Sequence, residues 1–128
     1  MLCADGSVHA RRAAQTLACL PWIGRASITV LGVRGGTQEV ERGAQEAADL
    51  LSSCRVDVRL VDAIPDTATF DVRSVIFDAI ADVQPDLVAM GTRGIGGLRR
   101  TVLGSTASAV VHHAPCSVLV ARVGEAVD

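Results

Sequence analysis

Residues 90–106 read M-G-T-R-G-I-G-G-L-R-R-T-V-L-G-S-T, and their types suit the holding of an anion. Gly91, Gly94, Gly96, Gly97 and Gly104 lie behind one apolar run and ahead of a helical period. Glycine lets backbone approach a ligand closely and adopt positive φ. Ser105 and Thr106 add hydroxyls, and a helix start adds unpaired amides and a positive dipole end. These are the parts of a phosphate cradle. Arg93, between the first two glycines, can reach a phosphate, whereas Arg99 and Arg100 have the character of solvated loop arginines. A plainer reading exists for each residue. Gly104 can be a tight turn, Ser105 an ordinary helix cap, and Gly96 and Gly97 loop residues.

Two familiar phosphate motifs fail here. Gly91 and Gly96 have the P-loop spacing, but Gly97-Leu98 follow where Lys and Ser or Thr are needed. A dinucleotide fingerprint starting at Gly94 would need its third glycine where Arg99 stands. All the basic residues are arginine, so a P-loop lysine and a Schiff-base lysine are both excluded.

The elements that position this stretch alternate along the chain. A short apolar strand over 1–4 leads to Asp5-Gly6-Ser7, where Ser7 caps a helix with Ala10, Ala13, Ala14, Leu17 and Leu20 on one face, stopped by Pro21. Trp22 is expected to pack at that helix end. A β-branched strand follows over 27–33, then a Gly35-Gly36 turn, with Thr37 as the next cap. The second helix turns Val40, Ala44, Ala47, Ala48 and Leu51 inward. The alternation over 56–61 predicts a half-exposed strand near an edge. A third helix begins near Asp71, with Val72, Val75, Ile76, Ala79, Ile80 and Val83 inward, and ends at Pro85. The continuous apolar run over 87–90 predicts a strand covered on both faces. A helix over 105–113 and a strand over 117–121 close the chain. Asp5 has two readings, an Asx-turn or cap on its own backbone and a carboxylate at a ligand site.

This β-α alternation predicts the α/β class: an open, doubly wound, mostly parallel five-stranded sheet with helices on both faces. Ligands in such folds sit at the carboxyl ends of strands, where strand order reverses. In the order 3-2-1-4-5, strands 1 and 4 are neighbours, so the Asp5 turn and the glycine-rich stretch would meet there.

Composition sets the outer bounds. The 128 residues suit one domain spanning 1–128. No apolar run reaches the ~18 residues of a membrane span, and no secretory signal is visible, so a cytoplasmic protein without membrane attachment is expected. The net charge of −2 and the few aromatics, Trp22, Phe70 and Phe77, argue against a nucleic-acid partner. Cys3, Cys19, Cys54 and Cys116 are scattered, and His9, His112 and His113 complete no zinc spacing, so free thiols and no protein-bound metal are expected. His112 and His113 suit the negative end of their helix.

The spacing Gly91-x2-Gly94-x9-Gly104-Ser105 resembles that of the universal stress protein family. Its flanks M-G-T-R-G and L-G-S-T-A…H-A-P-C-S-V-L-V, the turn Ala4-Asp5-Gly6-Ser7 and the run A-D-V-Q-P-D-L-V-A-M-G carry the same likeness. The resemblance implies a Rossmann-like sheet ordered 3-2-1-4-5, of the adenine nucleotide alpha hydrolase-like kind. It implies binding of ATP, with Mg²⁺ held through the phosphates. Carried over by position, Ala4 and Asp5 lie at the nucleotide, the backbone of Val33 meets the adenine, and Met90, Gly91, Arg93 and Gly94 line the site. Gly104, Ser105 and Thr106 hold the phosphates. The resemblance further implies a homodimer through strand 5, residues 117–122 with Ser117 and Arg122 at its ends, and a bare edge of Val118, Leu119 and Val120 would invite such pairing. The implied role is a small regulatory module in stress response. No general base other than Asp5 stands near the cradle, so fast catalysis is not expected. A slow ATPase or adenylyl-transferring enzyme, and a dimerising interaction module without nucleotide, are the alternatives.

Overall fold

The computed structural model describes residues 1–34, 38–62, 72–92 and 103–123. Strands β1 (Leu2–Cys3), β2 (Ser27–Arg34), β3 (Arg55–Asp62), β4 (Leu87–Gly91) and β5 (Ser117–Ala121) alternate with helices α1 (Val8–Ala18), α2 (Glu39–Leu50), α3 (Val72–Val83) and α4 (Ser105–His113). All pairings are parallel, and the sheet is ordered β3-β2-β1-β4-β5.

The pleat explains the two layers of helix. Successive strand residues point to opposite faces. Leu2, Val30, Ala89 and Ala121 pack with Ala13, Ala14 and Leu17 of α1 and Ala44 and Ala47 of α2. Their neighbours Cys3, Leu31, Val88, Met90, Val118 and Val120 pack with Ile76, Ala79 and Ile80 of α3 and Ala107 and Val110 of α4. Four of the five helix residues on the first face are alanines, and alanine brings helix and sheet backbones close together.

β1 is shorter than the expected 1–4 strand. Its ladder nevertheless continues on both sides, because the Ala4 amide donates to the Leu31 carbonyl and the Ala89 amide to the Met1 carbonyl, each at 2.8 Å. α1 ends at Ala18, before Pro21. Cys19 and Leu20 close it with bonds to the carbonyls three residues earlier, Thr16 and Leu17, which tighten the last turn. Trp22 does not pack at that end as expected and is half exposed. The packed face of α3 begins one turn later than expected, at Ile76, and Val72 stays 40% exposed. Ala48 is half-buried rather than fully inward. Thr37 lies outside the described residues; the first capping residue seen on α2 is Gln38, with no side-chain cap bond. β3 is an edge strand, as its alternation predicts, and Arg59 on it pairs with Asp82 of α3 at 2.6 Å.

All four cysteines are free thiols. Burial pushes the Cys3 thiol up to about 12. In the last turn of α4, His112 donates Nδ1–H to the Ser108 carbonyl at 2.7 Å. Among the described residues, no helix is long and apolar enough to cross a membrane.

Candidate functional site

The sheet order makes β1 and β4 neighbours, and the chain winds outward from them in both directions. This is the position where open α/β sheets leave a crevice at their carboxyl ends. The register brings the predicted residues to it. Cys3 pairs with Leu31, which sets Asp5 level with Val33; Leu2 pairs with Ala89, which sets Ala4 level with Gly91.

The β1–α1 turn is built by its own side chains. The Asp5 carboxylate accepts the Ser7 amide at 2.9 Å, an Asx-turn. Ser7 then caps α1, its hydroxyl oxygen accepting the Ala10 amide at 3.1 Å. Gly6 takes φ +83°, a conformation that side chains resist, and an added Cβ would also stand 2.7 Å from the Glu39 carbonyl oxygen. The turn is pressed against α2 from the other side. A Cβ on Gly43 would come within 2.6 Å of the Gly6 Cα.

On the β4 side, Ala4 and Met90 are buried, and the Met90 side chain belongs to the core that faces α3 and α4. Gly91 lets α1 approach. A Cβ there would lie 2.6 Å from the His9 Cβ and 2.7 Å from the Ala10 amide nitrogen. Its close contact is thus with the protein's own backbone. Arg93 and Gly94, both predicted at the site, lie outside the described residues.

The described chain resumes at the start of α4. Gly104 is the capping residue, with φ −67° and ψ 164°, and brings no side chain to satisfy the first amides. Its own amide donates to the Thr92 carbonyl at 2.6 Å. The first helical bond runs from the Ser108 amide to the Gly104 carbonyl at 2.8 Å. The amides of Ser105, Thr106 and Ala107 therefore precede the helical ladder, at the positive end of the α4 dipole. Ser105 is exposed and Thr106 half-buried. A helix start with no side-chain cap, tied directly to the end of β4, is suited to an anionic ligand.

Two residues with no expected role at the site complete this region. Thr92, 6% exposed, donates its amide to the Ala121 carbonyl at 2.9 Å while accepting the Gly104 amide. His9, 8% exposed, accepts the Val123 amide on Nδ1 at 3.1 Å and places the same nitrogen 3.4 Å from the Thr92 hydroxyl. The spacing of His9 carried no signal for this role, because its partner is 114 residues away. Among the described residues, no group of three or more His, Cys, Asp or Glu could hold a metal ion.

Residues 32–122 match the Universal stress protein family. The chain belongs to that family. Relatives named for it include SERP1273 of Staphylococcus epidermidis, 36% identical over 90 residues, and SH1215 of Staphylococcus haemolyticus, 33% identical over 93. These alignments cover 70% and 72% of this chain but 50% and 52% of the relatives, so the chain spans about half the length of the curated relatives it matches. Among solved structures, the hypothetical protein MJ0577 superposes with a TM-score of 0.79 at 19% identity, covering 98% of this chain and 95% of that one. The universal stress protein UspA of Lactobacillus plantarum gives 0.68 at 23%, covering 94% of each. A universal stress protein solved in complex with cAMP gives 0.69 at 18%, covering 94% and 93%. These structural likenesses establish the fold, a universal stress protein sheet with helices on both faces.

Proposed function

We propose that this universal stress protein is a cytoplasmic nucleotide-binding regulatory module whose ligand is ATP. The observation that carries the reading is the start of α4. Gly104 leaves it uncapped by any side chain and ties it to Thr92 at the end of β4, one strand from the Asp5 turn. Amides of the first turn of α4 would hold the phosphates, with Ser105 and Thr106 adding hydroxyls. Asp5 would accept from the sugar hydroxyls, and the Val33 backbone would meet the base. Mg²⁺ would arrive on the phosphates, which is how this small, strongly hydrated ion is commonly bound. The solved relative that holds cAMP supports an adenine nucleotide as the ligand class. Charge-assisted amide bonds contribute about 1.5–3 kcal/mol each before ordering costs. Three of them with a helix dipole approach the roughly 8 kcal/mol that micromolar binding requires.

Calorimetry with ATP, AMP and cAMP, with and without Mg²⁺, tests this. ATP should bind in the micromolar class, and Gly104→Val should weaken it at least tenfold, since Gly104 has a backbone conformation open to valine and the change mainly fills the approach to the amides. Absence of heat with all three nucleotides would defeat the reading in favour of an interaction module without nucleotide.

The same reading includes a homodimer through β5. This strand is a sheet edge with Ser117 exposed and Val118, Leu119 and Val120 half-buried, and such an edge favours pairing with a second copy. Sedimentation at micromolar concentration should return a dimer; monomer alone would remove this part.

A further inference from the structure

We propose that His9 is a positioning residue for the site. In its neutral Nε2–H form it locks the start of α4 and the chain leaving β5 to the first turn of α1. The proposal rests on the nucleotide reading only for its effect on affinity. Three segments meet at this imidazole, and a fourth, the start of α4, is tied to it through Thr92. It stands on α1, four residues after Asp5, and Gly91 of β4 makes room for it by having no Cβ. Its Nδ1 accepts the Val123 amide beyond β5 and faces the Thr92 hydroxyl. Thr92 in turn accepts the Gly104 amide that opens α4 and donates to Ala121 of β5.

The chemistry assigns the tautomer. A backbone N–H only donates, so Nδ1 must carry a lone pair, and in the neutral ring the proton then sits on Nε2. A half-buried amide that loses its acceptor bears part of the cost of desolvation. Replacing His9 by an apolar residue therefore leaves Val123 N–H without this partner and frees the Thr92 side chain. Thr92 then holds the α4 start by backbone alone. His9 thus couples the two halves of the proposed site, the Asp5 turn on α1 and the Gly104 start of α4, without touching a ligand.

Three measurements on the full chain test the proposal. The first uses the unaltered protein: long-range ¹H–¹⁵N spectra should show the His9 Nε2–H tautomer with Nδ1 unprotonated, and an Nδ1–H tautomer would overturn the assignment. The second is amide exchange without nucleotide. His9→Leu should speed exchange at Val123 and Gly104 at least tenfold relative to amides in the middle of β2. His9→Asn should restore protection, because its Oδ1 is attached where Nδ1 is and can accept the same amide. Unchanged protection in His9→Leu, or loss in His9→Asn equal to that in His9→Leu, would show that the ring acts by packing alone and defeat the proposal. If His9→Leu does not fold, the tautomer and the His9→Asn arm decide. The third is ATP titration, where His9→Leu should weaken binding about five- to tenfold and His9→Asn recover most of it. An unaltered protein that binds no ATP would sink the nucleotide reading and leave the first two tests standing.

Discussion

Gly43→Ala sets two well-measured effects against each other, and the structure decides between them. Gly43 lies inside α2, where helix propensity alone favours alanine by about 0.8–1 kcal/mol. Here the added methyl would meet the Gly6 Cα at 2.6 Å and the Gly6 nitrogen at 2.7 Å. Both are backbone atoms, so no side chain can swing aside. Gly6 cannot retreat freely either, because its φ of +83° belongs to a turn pinned by the Asp5–Ser7 bond and by Glu39. Overpacking of this kind costs typically 1–3 kcal/mol. The net expectation is a loss of about 1 kcal/mol, the overpacking term less the propensity gain. For a chain of this length that lowers Tm by about 4 °C. Thermal and urea unfolding of Gly43→Ala beside Gly24→Ala is the assay. Gly24 has no atom within 4 Å of an added Cβ, so its variant should unfold within about 0.5 kcal/mol of the parent. A Gly43→Ala protein more stable than the parent would refute the steric reasoning. It would mean that the α2–turn contact yields at little cost, and that Gly43 does not hold the Asp5 turn in place.

Ser7→Ala should cost about 1 kcal/mol, since it removes the acceptor of the Ala10 amide at the start of α1, and Ser7→Asp should keep most of it; denaturant midpoints measure both. The Cys3 thiol, raised to about 12 by burial, should resist alkylation at pH 8 while exposed Cys19 reacts, as mass spectrometry of labelled peptides would show; equal labelling would contradict the burial. The same shift has a definite sign in stability. The folded protein keeps a proton that the unfolded chain begins to lose near 9, so the contribution is complete below pH 9 and is lost as pH rises through 12. Urea midpoints between pH 8 and 10.5 should therefore fall more steeply in the parent than in Cys3→Ala.

Much of this protein is set by short-range pattern. The period of α1, the Ser7 cap, the bounds of α4 and β5 and the doubly run apolar strand β4 are all legible because a helix face and a strand pleat repeat within a few residues. The αβ alternation then leaves few ways to wind a parallel sheet, so the class follows from the same signals. The glycine spacing with its flanks marks the family for a related reason, since a close backbone approach demands glycine wherever it occurs. What glycine cannot declare is its neighbour. Gly91 reads as room for a ligand, and in the folded chain that room holds the first turn of α1. Gly43, inside α2, is the seat of the Asp5 turn. Val72 is exposed where the period expects it inward, because periodicity gives a face but not where the sheet beneath it begins. Trp22 is half exposed where packing is expected, because a large apolar residue after a helix says nothing of whether a partner reaches it. His9 carries the largest gap between sequence and structure. Its acceptor nitrogen gains meaning only when Val123, brought from the far end of the chain by the β4–β5 register, arrives beside it. That meeting is a product of parallel crossovers, which place distant segments side by side without leaving a mark in either one.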